Sequence, residues 1–390
     1  KYQLIDMNNE KILCKGKFAE IGQNDTEFHH KTFENKKICE DFHDVKNHDD
    51  AFNHLKDILT SKEIGVIKSM DEIAAIGHRV VHGGEFFTGP VIINDEVIKK
   101  IESLIPLAPL HNRASISGIK SCTKMFGNKI PQVAVFDTSY YSNIPDYAFV
   151  YPIPYEYYEK CGIRKYGFHG TSHEFVSNAA AKILNKDIKD LKIISCHLGN
   201  GSSITAIKNG KAIDTSMGLT PLGGIMMGTR SGSMDPSVVI KMAEEKSLSL
   251  EEIGNILNKE SGLKGVSGIG SDDRDILRAE NNGNQRAKLA HEMMIYKITK
   301  YIGGYIAILG GCDAIIFTGG IGEHQWMHRE KICKRFEFMG LELDDEKNKS
   351  AKLGKEEIIS KSDSKIKVFV IPTNEELAIA RLTIKLINNK

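Results

Sequence analysis

The 390-residue sequence has no excess of charge of either sign: 52 Lys and Arg stand against 51 Asp and Glu, a formal net charge of +1. That balance excludes a nucleic-acid binder working by broad phosphate neutralisation and a polybasic membrane-surface protein. No run approaches the roughly 18 consecutive apolar residues of a membrane-spanning helix, and no basic segment leads into an apolar one at the start. The seven cysteines (Cys14, Cys39, Cys122, Cys161, Cys196, Cys312 and Cys333) contain no Cys-x-x-Cys, which removes zinc ribbons and thioredoxin motifs. Their odd count and wide spacing read as reduced, mostly buried thiols of a cytosolic protein. G-x-x-x-x-G-K-[ST] and G-x-G-x-x-G are missing too. Walker-type ATPases, the dinucleotide fingerprint and the protein-kinase phosphate loop are thereby excluded.

What is present is ordinary globular composition, 41% hydrophobic and 26% charged, in a length that predicts two domains at about 100–200 residues each. Short apolar runs alternate with helical patterns, so the class is α/β. Strands are expected at Ile73–Ile76, Val133–Phe136, Ile193–Ser195, Ser203–Ile207, Ala314–Phe317 and Val368–Ile371. Met294, Ile298, Ile302 and Ile306 mark one helix face, stopped by Gly310-Gly311. Between Ile193 and Asp214 the pattern is strand, Gly199-Asn200-Gly201-Ser202, strand, Asn209-Gly210, strand, with hairpin chemistry at both turns. Thr373 and Glu376 form a capping-box pattern before the last helix. An internal boundary is expected near Tyr140–Pro154, where prolines and tyrosines concentrate.

The glycines cluster where a backbone could approach a ligand. His197-Leu198-Gly199-Asn200-Gly201-Ser202-Ser203 suits a phosphate cradle of backbone N–H groups, with Asn200, Ser202 and Ser203 as extra donors; a plain hairpin turn also fits. Phe317-Thr318-Gly319-Gly320-Ile321-Gly322-Glu323 reads as a flat seat for a nucleoside or as a tight strand–helix turn. Arg230, between Gly228 and Gly232, reads as a guanidinium offered to an oxyanion or as a solvated surface arginine. Two segments, 77–84 and 166–173, contain His-x-x-x-His. Glycines interrupt both, which disfavours a helical zinc site and leaves the histidines as hydrogen-bond donors to a charged transition state. Asp137 ends an apolar run, a position that serves a ligand crevice or a turn.

Together these segments resemble the acetate kinase family. The matching stretches are Gly-His-Arg-Val-Val-His-Gly-Gly (77–84), Leu-Ala-Pro-Leu-His-Asn (107–112) and Tyr-Gly-Phe-His-Gly-Thr-Ser-His (166–173). His-Leu-Gly-Asn-Gly-Ser-Ser (197–203), Gly-Thr-Arg (228–230), Gly-Gly-Ile-Gly-Glu (319–323) and Pro-Thr-Asn-Glu-Glu (372–376) continue the match in order. The resemblance implies two related actin-like (ribonuclease H-like) α/β domains, with mixed sheets flanked by helices and an active-site cleft between them. One would span 1–139 plus 374–390, the other, carrying nucleotide binding and dimerisation, 140–373. It implies transfer of the γ-phosphoryl group of ATP to acetate, giving acetyl phosphate and ADP, by a cytoplasmic homodimer that uses Mg2+, or Mn2+. By position, Asp137, His169 and Arg230 would be catalytic. Arg79, Val81, Leu110, His111, Phe168 and Pro221 would bind the acceptor, Arg79 at its carboxylate and Val81, Leu110, Phe168 and Pro221 around its methyl. ATP would be held by Lys1, by His197, Leu198, Gly199, Asn200 and Gly201, by Asp272, Asp273 and Arg274, and by Gly320, Ile321, Gly322, Glu323 and His324. Glu375 would be the metal ligand.

The acceptor is itself a carboxylate of pKa roughly 4–5, ionised at neutral pH, so a general base is dispensable and Asp137 is expected to position rather than deprotonate. Departures from the family pattern fall at Asp273, where Phe or Met is usual, at His324 in place of Asn, at Ser139-Tyr140-Tyr141 and at Leu222-Gly223. Asp273 is therefore expected to set an extra carboxylate beside the adenosine. Propionate or butyrate kinase activity and a non-catalytic actin-like nucleotide-binding module are the rival readings. Family members begin with a strand and an Asn-x-Gly-Ser-Ser-Ser-x-Lys loop, and Lys1 matches the last residue of that loop. A slightly longer protein is expected, and weak folding with little activity if Lys1 is the true start.

Overall fold

The computed structural model describes residues 1–389 apart from 20, 23–25, 33–36, 43–44 and 128, and apart from the side chains of 37–42 and 109–110. The chain divides into unit 1, Lys1–Ser139 with Asn374–Lys390, and unit 2, Tyr140–Thr373. Each is built on sheets that bury apolar side chains.

In unit 1, β1 (Tyr2–Asp6), β2 (Lys11–Ala19), β3 (Thr26–Thr32) and β4 (Lys37–Phe42) form an antiparallel meander. A second sheet has the order β5 (Ile76–Val80), β7 (Gln132–Phe136), β6 (Val91–Ile92), with β5 and β7 parallel. Every residue of β7 is buried. Ala134 and Phe136 pack with Val80, Phe87, Ile101 and Ile119, while Val133 and Val135 face Ile379 of the Glu375–Asn388 helix. That helix rests on bare backbone: a Cβ at Gly77 would stand 2.6 Å from Ile379 Cγ2 and from Thr383 Oγ1.

Unit 2 holds a six-stranded mixed sheet in the order β10 (Lys211–Thr215), β9 (Ser202–Lys208), β8 (Lys192–Leu198), β11 (Ala314–Thr318), β13 (Lys367–Val370), β12 (Glu357–Ile358). β8, β11 and β13 are parallel neighbours; β8–β9–β10 is an antiparallel meander. Helices cover both faces, which explains the near-continuous apolar strands. Ile193, Ala314, Ile316 and Phe369 pack on Val176 and Ala180 of the Gly170–Ile183 helix. Ile194, Cys196, Ile315 and Phe317 pack on Met294, Ile298, Ile302 and Ile306 of the Gln285–Leu309 helix. Gly310 ends that helix in the left-handed conformation, φ 66°. The Asn209-Gly210 turn has both residues at positive φ, 55° and 74°, as a two-residue hairpin of this hand requires.

The α/β class with mixed sheets is as expected, but three local expectations need correction. The first strand runs Ile76–Val80, not Ile73–Ile76. Residues 70–72 form a 3-10 turn capped by Ser69 and Glu72, and pairing with β7 begins only at Ile76. β5 is a sheet edge, so its polar His78 and Arg79 are tolerated where an apolar run looked more strand-like. The last strand is Lys367–Val370, one residue earlier than read. Asn374, not Thr373, caps the final helix, its Oδ1 accepting from Leu377 N at 3.1 Å; Asn is the stronger cap. Six described cysteines are free, four of them buried. Among the described residues no helix is long and apolar enough to cross a membrane.

Gly77→Ala should destabilise the fold by about 1–3 kcal/mol, the usual range for overpacking, read as a lowered urea midpoint. An unchanged midpoint would mean that the last helix can lift off β5 without loss.

Candidate active site

In unit 1 a salt bridge forms where two parallel strands end together. The register sets Arg79 opposite Val135 and Val80 opposite Phe136, and Asp137 N–H donates to Val80 O at 3.0 Å. Asp137 therefore follows β7 directly beside Arg79. Arg79 donates through Nε to Oδ1 at 2.8 Å and through Nη2 to Oδ2 at 2.6 Å. Asp137 is 1% exposed, and its charge holds the Arg79 guanidinium protonated well above its ordinary range. Glu375, in the first turn of the last helix, lies 3.8 Å from Arg79 Nε. Burial raises the Glu375 carboxyl above its ordinary value, and Arg79 only partly offsets this. Lys1 lies within electrostatic reach of Glu375. Beside this group, Asn112 clamps the backbone of His82 at both ends, accepting from its N–H at 3.1 Å and donating to its carbonyl at 3.0 Å. Val81 is buried and His111 exposed; the side chain of Leu110 lies outside the described residues.

In unit 2 the Gly170–Ile183 helix opens at His169, a non-glycine residue at φ 58° and ψ 24°. Such a conformation persists only where its surroundings over-determine it. His169 Nδ1 bonds Ser203 Oγ at 2.8 Å, and its ring stacks on His197 with centroids 4.3 Å apart. Ser203 Oγ also meets His173 Nε2 at 2.8 Å, and His173 Nδ1 meets Ser195 Oγ at 2.8 Å. His197 Nδ1 pairs with Ser172 Oγ at 2.8 Å. Burial pushes His173 well below its ordinary pKa, so it is neutral. The relay then has two concerted hydrogen arrangements. In one of them His173 Nε2 donates to Ser203, Ser203 donates to His169 Nδ1, and His169 Nε2 carries an outward N–H. That nitrogen faces Gly201: a Cβ there would stand 3.5 Å from His169 Nε2 and 3.4 Å from Arg230 Nη1. The bonds of Arg230 go to neutral acceptors, the Pro221 carbonyl at 3.3 Å and Met227 Sδ at 3.9 Å. Burial lowers its pKa. A guanidinium bonded this way suits an incoming anion.

Three glycine-rich loops of unit 2 meet backbone to backbone. A Cβ on Gly319, at φ 78°, would strike Leu198 O at 2.7 Å, and one on Gly199 would stand 3.9 Å from Gly320 N. Gly228 N donates to Asn200 O at 3.3 Å. The expectation that Ser202 and Ser203 add donors to a phosphate cradle needs correction. Ser202 Oγ closes the loop by bonding Gly199 N and O, and Ser203 is wholly buried in the histidine relay. Phe168 is buried, and its carbonyl accepts from Tyr141 Oη at 2.5 Å.

Asp272 caps the Asp273–Asn281 helix and pairs with the exposed Arg274 at 2.6 Å. The carboxylate of Asp273, expected from the sequence to stand beside the adenosine, is not on the surface. It turns inward, 5% exposed, to His328 Nε2 at 3.0 Å and His291 Nε2 at 3.3 Å. Its charge has found buried imidazoles, which is why an acid can stand where an apolar side chain is usual. His324 is exposed, its ring bonded to Gly320 O; burial raises the Glu323 carboxyl, which accepts from Gly319 N at 3.1 Å. Arg329, unremarked in the sequence, is 2% exposed and donates to Gly322 O and Glu323 O at 2.9 Å and to Asn348. No motif marks it; only its burial does.

The profile of the acetokinase family matches residues 1–381. The acetate kinase of Caldanaerobacter subterraneus subsp. tengcongensis is 56% identical over 388 residues, covering 99% of this chain and 96% of the relative. The crystal structure of Porphyromonas gingivalis acetate kinase matches with a TM-score of 0.94 at 44% identity, covering 99% of this chain and 96% of that one. That of a propionate kinase from Francisella tularensis subsp. tularensis matches with a TM-score of 0.91 at 42% identity, covering 98% and 95%.

A carboxyl raised on folding binds its proton more tightly in the native state, so stability falls as pH rises between the ordinary and the raised value and stays lower above both. Glu375→Gln removes that cost. Its Tm at pH 8 should equal or exceed that of the parent, and the difference should vanish below about pH 4, near the ordinary glutamate value. A lower Tm at pH 8 would mean that attraction to Arg79 outweighs burial.

Proposed function

The chain belongs to the acetokinase family, and we propose that it moves the γ-phosphoryl group of ATP to acetate by direct in-line transfer, with the two side-chain clusters taking separate parts. The activity is that of an ATP:acetate phosphotransferase, reversible, with acetyl phosphate and ADP as products. The observation that carries the assignment of parts is the convergence of His169 Nε2 and Arg230 Nη1 on Gly201, whose lack of a side chain leaves their shared space open.

Phosphoryl transfer needs positioning and charge neutralisation more than covalent chemistry. Arg230 meets charge on the transferring group; its bonds to neutral acceptors support this. His169, in the arrangement with N–H at Nε2, donates to a phosphoryl oxygen, and Ser203 holds it there. Arg79 grips the acetate carboxylate through Nη1, which its bonds to Asp137 do not use. Asp137 orients Arg79 rather than taking a proton, since the acceptor is already ionised. The family resemblance assigns Val81 and Leu110 of unit 1 and Phe168 and Pro221 of unit 2 to the methyl group, and His111 to the substrate. Residues 197–201, Asp272, Arg274 and Gly320–His324 hold the nucleotide, with Lys1 at its phosphates.

Asp137, buried, and Glu375, partly buried, are two carboxylates beside one guanidinium, with Lys1 within electrostatic reach of Glu375. Hard oxygen donors of this kind fit Mg2+, or Mn2+, and Glu375, raised by burial, would ionise readily beside a dication. Such an ion, when bound, would offset charge on the phosphates. The same reading makes the protein a cytoplasmic homodimer acting on small molecules, with neither a nucleic acid nor a membrane as partner; its near-neutral charge supports the last two points.

The match to a propionate kinase favours a second reading of the acceptor. One added methylene changes discrimination by only about 1–3 kcal/mol, so kcat/KM for acetate, propionate and butyrate, read as hydroxamate formed with ATP, Mg2+ and hydroxylamine, decides it. Acetate should lead; a lead for propionate would reassign the acceptor. Arg230→Ala should lower kcat by about 10² or more, as loss of an oxyanion donor does. Ser203→Ala should lower kcat by about tenfold to a hundredfold through a misplaced His169, with KM for acetate unchanged. Near-normal turnover in Arg230→Ala would remove that residue from the chemistry.

A further inference from the structure

Between Asp272 and Arg274, proposed above to hold the nucleotide, Asp273 turns into a buried polar knot where three helices of unit 2, Asp273–Asn281, Gln285–Leu309 and Trp326–Cys333, meet. Asp273, His291 and His328 are 5%, 0% and 2% exposed. Nε2 of His328 and Nε2 of His291 lie 3.0 and 3.3 Å from one oxygen, Asp273 Oδ1, and one ligand atom from each of the three residues lies within 4.8 Å of the others. On its far side, His291 Nδ1 donates to Glu280 Oε2 at 2.5 Å.

That bond fixes the tautomer. A neutral His291 uses its one N–H on Glu280 and turns a lone pair from Nε2 towards a carboxylate oxygen. His291 Nε2 and Asp273 Oδ2 are both buried without a hydrogen-bond partner. With His291 neutral, its Nε2 lone pair and Asp273 Oδ1, 3.3 Å apart, repel in a dry interior unless a proton or a metal cation lies between them. The charge count points the same way. Asp273 and Glu280 bring two negative charges into the knot, and the lysine nearest to them, Lys331, is half exposed and 3.7 Å from Glu280 Oε1.

We propose that Asp273, His291 and His328 bind one divalent transition-metal ion of the zinc class, which ties the three helices together. Two imidazoles and a carboxylate suit such an ion, and a carboxylate behind a ligating imidazole, as Glu280 stands behind His291, is the usual support. Zinc–nitrogen distances of about 2.0–2.1 Å put tetrahedral ligand atoms about 3.3 Å apart, close to the separations at Asp273 Oδ1. The second oxygen of Asp273, or a water, completes the sphere. The site is distinct from the Asp137–Glu375 group, which belongs to unit 1, and it does not depend on the transfer mechanism. Two imidazolium ions would balance the same charge. Burial pushes the His291 imidazole down, but its two carboxylate neighbours lift it above its ordinary value. The experiment separates proton from metal.

Full-length protein, stripped with chelator and held at pH 7.5 with excess Mg2+, is titrated with Zn2+ and separately with Co2+. One ion per chain should bind, Tm should rise by about 3 °C at a hundredfold excess over Kd, and Co2+ should give the visible d–d bands of a nitrogen–oxygen site. Asp273→Asn and His328→Gln should each weaken Zn2+ binding by at least a hundredfold. No stoichiometric binding, or equal binding by parent and variants, overturns the site and leaves a proton-balanced ion pair. A thiolate-to-cobalt charge-transfer band would place the ion on a cysteine and overturn it equally. Should the variants fail to fold, the Co2+ spectrum of the parent decides alone.

Discussion

One hydroxyl, Ser203 Oγ, sets the geometry of the histidine cluster in unit 2. It lies in a fully buried strand residue and is shared by two imidazoles, His169 and His173. An unbonded polar group in that interior would be destabilised by about 1–3 kcal/mol, so its two bonds fix both rings. The register of β8 on β9 sets His197 opposite Ser203 and Ser195 opposite Thr205. The helix that begins at His169 then brings His173 between Ser195 and Ser203. The left-handed backbone at His169 is the strain this arrangement tolerates, and its ring is held at the glycine tip where Arg230 also arrives.

Unit 1 handles charge differently. There an arginine meets a wholly buried aspartate in a bidentate pair, the strongest form of ion pair between side chains. The pair stands at the shared end of two parallel strands, where backbone pairing rather than side-chain packing sets its geometry. Glu375 arrives from the opposite end of the sequence, on a helix that lies flush with β5 because Gly77 has no side chain. Burial there disfavours the charged form of Glu375. Destabilisation of that kind is common where a fold has been shaped for binding rather than for its own stability.

The architecture was legible because its signals are local. The continuous apolar runs of β8 and β11, the four-residue spacing from Met294 to Ile306 and the Asn209-Gly210 turn all depend on near neighbours. Errors came where tertiary context decides. Ile73–Ile76 has the composition of a strand but no partner before Ile76, and Asn374 outcompetes Thr373 as a cap by one position. At the site, the residue types in each loop were legible and their directions were not. Ser203 looked like a donor to ligand and is a buried brace; Asp273 looked like a neighbour of adenosine and points inward. Arg329 left no mark in the sequence, because a buried arginine satisfied by four carbonyl and amide acceptors looks like any surface arginine.

The Trp326–Cys333 helix joins these observations. Two consecutive residues on it reach in different directions: His328 to Asp273, and Arg329 to the carbonyls of Gly322 and Glu323. The first contact reaches the segment 272–274 and the second the segment 320–324, both assigned to the nucleotide. A rigid helix bonded to both at adjacent positions must move them together or not at all, since the interior around it is close-packed. Asp273 and the loop that follows β11 are therefore coupled through this one helix. The departure at Asp273 is thus tied, through His328 and Arg329, to the position of the backbone loop that follows β11.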